Sequence, residues 1–194
     1  MMDKIFGGPL RLKLMKLFIF NPVEVFDLKV IAKKTESRVP ALKKEMKVLL
    51  LSGLVKIKIF KNEKGRKQKG FVLNGNFKYF DPLKEFLIKV SPLSESQIFD
   101  KISKAGKPKF AAISGVFINN PDCRIDLLIV GDKFKKNVLA RVISNLEAEL
   151  GTELKYAFFE TADFEYRRSF GDKLVRDILE YPHKVIVDKL GISL

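Results

Sequence analysis

The stretch RVPALKKEMKVLLLSGLVKIKIF, Arg38 to Phe60, carries two different periodicities on either side of one glycine. Val39, Leu42, Met46, Leu49 and Leu50 recur every three or four positions, the spacing that lines one face of a helix, so they predict a buried stripe. Arg38, Ala41, Lys44 and Lys47 fall on the opposite side, flanked by Lys43. Ser37 is the expected N-cap of this helix, Pro40 fits its first turn, and Gly53 suits the residue just past its end. Beyond Gly53, LVKIKIF alternates apolar and basic residues, the period of a half-buried strand. KNEKGRKQKG then reads as a glycine-containing turn and FVLN as the returning strand. The expected hairpin is strongly basic: Lys56, Lys58, Lys61, Lys64, Arg66, Lys67 and Lys69 stand against one acid, Glu63.

Working outward toward the N-terminus, PLRLKLMKLFIF (Pro9–Phe20) predicts a first helix with Leu10, Leu14, Leu17 and Phe18 inward and Arg11, Lys13 and Lys16 on other faces. Asn21 and Pro22 stop it. FDLKVIAKKT predicts a short second helix with Leu28, Ile31 and Ala32 inward and Asp27 as its cap. A helix, a tight turn and a second helix with a basic outer face is helix-turn-helix geometry.

With the hairpin added, Pro9–Asn74 resembles the winged-helix domain of ArsR/MarR-type transcriptional regulators, LLLSGLVKIK matching their passage from recognition helix to wing. That resemblance implies double-stranded DNA as the partner and a third helix entering the major groove by its N-terminal end. It places Ser37, Arg38, Ala41, Lys43, Lys44, Lys47, Lys58, Lys61, Lys64, Arg66, Lys67 and Lys69 at the DNA. Hairpin cations would meet phosphates, while Arg38 and Lys44 are the candidates for base edges. Modules of this kind also take RNA or protein, and they commonly work as homodimers on palindromic sites.

Charge is divided unevenly along the 194 residues. The first 90 hold 21 Lys/Arg against 8 Asp/Glu, a net of +13, and the remainder hold 16 against 15. Two domains are therefore expected, of which only the first meets a polyanion. No apolar run is long enough for a membrane span and the N-terminus lacks a signal-peptide pattern, so a cytoplasmic protein with no membrane partner is expected. One cysteine, Cys123, and one histidine, His183, exclude an internal disulfide and a Cys/His zinc cluster.

After Lys89 the chain reads as a helical connection. Ser94 and Gln97 form a capping-box pattern, and Gly106 and Pro108 end the helix. From Lys109 strands and helices alternate: FAAIS, RIDLLIVG, the helix KFKKNVLARVISNLEAELG, ELKYAFF, the helical TADFEYRRSFGDKLVRDILEYP, and KVIVDKL. Helices covering a mixed sheet are expected.

This order, with ISGVF before CRIDLLIVGD (Cys123–Asp132), resembles the minimal nucleotidyltransferase family. There a Gly-Ser turn holds the triphosphate and an Asp-x-Asp pair on the next strand binds two Mg²⁺ ions. Two metals about 3.5–4 Å apart need side-by-side carboxylates, which residues i and i+2 of a strand supply. Here Ser114-Gly115 reverses the turn, Arg124 replaces the first aspartate beside Asp126, and ELKYAFF offers no third carboxylate at Tyr156 or Phe158. The expectation is a domain without catalytic residues, without a metal and without a cofactor. Arg124 is expected to pair with Asp126. Ser114, Gly115, Arg124 and Asp126 also remain a candidate remnant that could hold a nucleotide or phosphate.

The expected fold is a two-domain α+β / α/β chain: a winged helix-turn-helix over 1–88, a helical linker over 89–107, and a nucleotidyltransferase-like mixed sheet with covering helices over 108–194. The expected function is sequence-specific DNA binding in transcription regulation, with the second domain serving regulation, dimerisation or ligand sensing. The competing readings are an active nucleotidyltransferase steered to nucleic acid by its basic half, and an RNA-binding or toxin-antitoxin module.

Overall fold

Asp27 caps the helix Leu28–Lys34 in the first half: its Oδ1 accepts the backbone N–H groups of Lys29 and Val30 at 2.7 and 2.8 Å. The computed structural model describes residues 2–61, 65–90, 93–118, 120 and 122–192, and it is mixed α+β, helices with two separate sheets. Contacts divide it into two units, Met1–Ser91 with Ser144–Glu153, and Pro92–Ile143 with Leu154–Leu194.

The first unit runs α1 (Met2–Ile5), α2 (Pro9–Phe20), α3 (Leu28–Lys34), α4 (Val39–Leu51), β1 (Val55–Lys61), β2 (Lys67–Leu73) and α5 (Phe80–Val90). Leu14, Phe18, Ile31, Leu42, Met46 and Leu49 are buried together, so α2, α3 and α4 share one core. Burial of this extent stabilises by about 1.5–3 kcal/mol per large apolar side chain. β1 and β2 pair antiparallel from Val55 opposite Leu73 to Lys61 opposite Lys67. A bridge from Phe26 to Phe71, with N–H···O bonds of 2.9 and 2.8 Å, ties the segment before α3 to β2.

Several sequence expectations are corrected here. Ser37 does not cap α4: its Oγ shares a 2.7 Å hydrogen bond with the Thr35 Oγ1, the helix begins at Val39, and Arg38 holds the N-cap position without a side-chain cap. Val39 is 40% exposed, so the buried stripe begins at Leu42. Ile57 and Ile59 are also exposed, at 52% and 65%, because only the base of the ribbon (Val55, Val72, Leu73) reaches the helices. Lys16 is the reverse case. Six consecutive residues, Leu14 to Ile19, are buried, which encloses α2 on most sides, and the Lys16 Nζ donates to the Glu149 carbonyl at 2.7 Å. Burial pushes its ammonium pKa down, against the pull of Glu149.

The second unit contains α6 (Glu95–Ser103), β3 (Lys107–Ile113), a 3₁₀ turn (Gly115–Phe117), β4 (Leu127–Asp132), the start of α7 (Lys136–Leu150), β5 (Tyr156–Phe159), α8 (Thr161–Ser169), α9 (Lys173–Glu180) and β6 (Lys184–Asp188). Ser94 and Gln97 form the full capping box at α6. The sheet order is β5-β4-β3-β6, with β4 and β5 parallel and the other pairs antiparallel. β4 is buried along its length except at Asp132, which explains its unbroken apolar run. Phe110, Leu128, Val130, Phe164, Val175 and Ile178 fill the space between sheet and helices, with Phe110 stacked on Phe164 at 6.1 Å.

Asp132 ends β4 as an anchor for α8. Its carboxylate accepts the Thr161 N–H at 3.0 Å and hydroxyl at 2.9 Å, and the Lys109 Nζ lies 2.7 Å away. The Lys109 bond first, then those from Thr161, lower its pKa from 3.8 to about 2. A carboxyl whose folded pKa is depressed adds stability that is fully present above its unfolded pKa and is lost as pH falls through the folded one. Urea midpoints of the wild type are therefore expected to drop between about pH 4 and pH 2, and Asp132→Asn to flatten that part of the profile. Parallel acid profiles for the two proteins would refute this role.

Candidate functional site

The turn between α3 and α4 sets the exposed face of α4. Thr35, buried, donates its Oγ1 to the Ile31 carbonyl at 2.7 Å, and the Ser37 N–H returns to the Ala32 carbonyl at 3.0 Å. Between them Glu36 takes a left-handed φ of 51°, which reverses the chain. Once α4 seats Leu42, Met46 and Leu49 inward, Arg38, Ala41, Lys43, Lys44 and Lys47 are exposed, and Ser37 is half-buried in the turn. The stripe Arg38, Ala41, Lys44, Lys47 ends on Leu51, an apolar side chain 79% exposed.

On the hairpin, register sorts the cations. Val55, Ile57, Ile59 and Lys61 share a face with Lys67, Lys69 and Phe71, while Lys56 and Lys58 lie on the other face with Phe60 and Gly70. Gly70 has a reason: a Cβ there would stand 2.6 Å from Val25 and 2.7 Å from the Phe60 ring. Lys61 and Lys67 are direct partners across the ladder, a like-charge pair that costs stability. Arg66 is exposed just before β2, and Lys64 lies outside the described residues. Arg38, Lys43, Lys44, Lys47, Lys58, Lys61, Lys67 and Lys69 have no carboxylate partner among the described residues. By contrast Arg11 binds Glu45 at 2.6 Å and Lys34 binds Glu153 at 2.8 Å, which holds Glu153 below the usual carboxylate range.

The second candidate set does not come together as the sequence suggested. β4 starts at Leu127, so Arg124 and Asp126 precede the strand and do not share a strand face. Asp126 is 5% exposed, and both of its oxygens are used by backbone: Oδ1 accepts the Val116 N–H at 2.9 Å and Oδ2 the Lys155 N–H at 2.8 Å. Its own N–H and C=O are taken by the Lys155 carbonyl at 2.6 Å and the Ser114 N–H at 2.8 Å. Arg124 pairs with Asp177 on α9 at 2.9 Å rather than with Asp126, a correction with a plain cause: Asp126 faces inward and is already occupied.

Ser114 points its hydroxyl at the Pro182 carbonyl, 2.7 Å away. Gly115 has φ 53°, and a Cβ there would meet the Asp126 carboxylate, so only glycine lets the turn close over that side chain. Chemically, the cluster is a loop staple whose donors and acceptors are consumed internally. No group of three or more His, Cys, Asp or Glu able to hold a metal forms among the described residues.

Cys123 is buried, and His183 places Nδ1 2.8 Å from the Tyr181 carbonyl. Arg167 links Asp163 and Asp172 across α8 and α9, and its guanidinium lies over Phe159 at 5.2 Å. No helix among the described residues is long and apolar enough to cross a membrane. No known protein family matches the chain, and neither a curated protein nor a solved structure matches it significantly.

Proposed function

We propose that the chain is a winged-helix transcriptional regulator that binds double-stranded DNA through α4 and the β1–β2 hairpin. The observation that carries this reading is a set of exposed cations on and beside those two elements, Arg38, Lys43, Lys44, Lys47, Lys58, Lys61, Lys67 and Lys69 among them, that have no carboxylate partner among the described residues. The repulsive Lys61–Lys67 pair adds to it, since a chain selected only for stability has no reason to place lysines opposite each other. α4 would enter the major groove by its N-terminal end, with Arg38 and Lys44 toward base edges and the hairpin lysines on phosphates. One such helix per chain makes a two-fold homodimer on a palindromic site the expected assembly.

The second unit, in this reading, is a nucleotidyltransferase-like domain without transfer chemistry, acting in regulation or dimerisation. The internal use of both Asp126 oxygens and the pairing of Arg124 with Asp177 support it, because two bridging metals would need carboxylates that are free and adjacent.

Fluorescence anisotropy with a mixed-sequence duplex tests the main proposal. With Arg38 and Lys44 at base edges, Lys43, Lys47, Lys58, Lys61, Lys67 and Lys69 on phosphates predict a slope of about −5.4 in log affinity against log salt, hence a loss of about 10³-fold between 50 and 200 mM salt. Duplex RNA should bind more weakly, since its narrow major groove does not admit a helix. An affinity that barely changes over that salt range would exclude this surface as the contact.

A further inference from the structure

The second half of the chain is nearly neutral in sequence, yet its fold concentrates positive charge at one end of the four-stranded sheet. β3 and β4 run antiparallel, with Lys107 opposite Asp132, so the α6–β3 connection and the β4–α7 connection lie side by side. The Lys135 N–H donates to the Ala105 carbonyl at 2.9 Å across the two. Lys104 and Lys107 from the first connection thereby join Lys133, Lys135 and Lys136 from the second. All five are exposed, and none has a carboxylate partner among the described residues. The one acid between them, Asp132, is committed to Lys109 and Thr161. Asp100, one turn back from Lys104 on α6, forms no ion pair among the described residues.

This cluster is held in place. Phe134 sits between Lys133 and Lys135 and packs into space left by two glycines: a Cβ on Gly106 would lie 2.6 Å from its ring, and one on Gly131 would lie 2.9 Å from it. Its other neighbour is Phe158, with ring centroids 5.0 Å apart. Both connections are thus pinned by an aromatic anchor and a backbone hydrogen bond, which holds the segments carrying the five lysines side by side.

We propose that these five lysines form a second nucleic-acid backbone site, separate from α4 and the hairpin, that binds phosphates without reading sequence. Lysine ammonium groups act as point charges suited to phosphate contact. None of the large apolar side chains that are exposed falls on the two connections, so the surface lacks the buried anchor a protein partner would need. The binding is electrostatic, so it is independent of sequence and weakens as salt rises.

Lysine footprinting on the wild-type full chain tests this. Each lysine's acetylation rate is measured by mass spectrometry with and without a mixed-sequence duplex of about 30 base pairs at low salt. Lys104, Lys107, Lys133, Lys135 and Lys136 are expected to be protected at least about threefold, with the protection gone near 0.5 M salt. Protection confined to the α4 and hairpin lysines would overturn this inference and leave the first proposal standing. Protection confined to the five would do the opposite, and protection of neither set would remove both. Equal protection by polyglutamate at matched charge would reassign the site to an acidic protein and overturn the nucleic-acid assignment. A variant with all five changed to serine is expected to lower the salt slope by about 4.5; an unchanged slope would also sink it.

Discussion

Changing Lys58, Lys61, Lys67 and Lys69 together to serine is expected to weaken duplex DNA binding about a thousandfold at low salt and to reduce the salt slope by about 3.6. Stability should hold or rise by a few tenths of a kcal/mol, since the variant removes the Lys61–Lys67 repulsion and these side chains are exposed. That combination separates a binding surface from a merely solvating one. Anisotropy titrations over salt, read beside urea unfolding, give both quantities. Affinity within twofold of wild type would end the claim that the hairpin touches DNA. Lys44→Ala makes a different demand. It should lower the slope by no more than about one, while narrowing the gap between preferred and random duplexes by about 1–3 kcal/mol, because its assigned contact is to a base edge.

Asp126→Ala is expected to cost the second unit about 2–6 kcal/mol, the penalty for leaving the buried N–H groups of Val116 and Lys155 without acceptors. Against a typical stability of about 5–15 kcal/mol, this approaches unfolding. Asp126→Asn, which keeps one acceptor, should fall between, and it remains measurable if the alanine variant does not fold. Gly115→Ala strains the same contact, from a left-handed φ and from its Cβ meeting the carboxylate, so the two substitutions together should cost less than their sum. Hydrogen exchange gives the decisive readout: Val116 and Lys155 amides lose protection while DNA binding by the first unit persists. A variant with a wild-type urea midpoint and unchanged exchange at those amides would show that Asp126 is not the staple described.

The order of helices and hairpin in the first unit, the Asp27 cap, the Ser94–Gln97 capping box and the exposed cations of α4 could be read directly, because each follows from local periodicity or a cap within four residues. Ser37, Val39 and Ile57 differ from what the local pattern predicts for a common reason. Whether a side chain near an element's edge is capped, buried or bare depends on what lies against it, and periodicity does not contain that.

Lys16 shows the same limit from inside the core. Helical spacing puts it off the apolar face of α2, yet Leu14 to Ile19 are all buried and Lys16 with them, which lowers its pKa. Its amphipathic stem allowed the sequence to treat it as surface.

The sequence alone determined that this is a mixed helix and strand protein, where most elements begin and end, and that positive charge is concentrated in the first half. These are properties of neighbours along the chain: hydrophobic period, caps, and the sum of charges. The tertiary structure decided which charges act together. Asp126 lies two residues from Arg124 in sequence but accepts from two backbone amides, and Arg124 pairs with Asp177, 53 residues further on. Lys104 and Lys107 meet Lys133, Lys135 and Lys136 only because β3 and β4 are antiparallel and Phe134 fits over glycine. Electrostatic partners are set by distance through space, and only strand pairing and packing fix that distance.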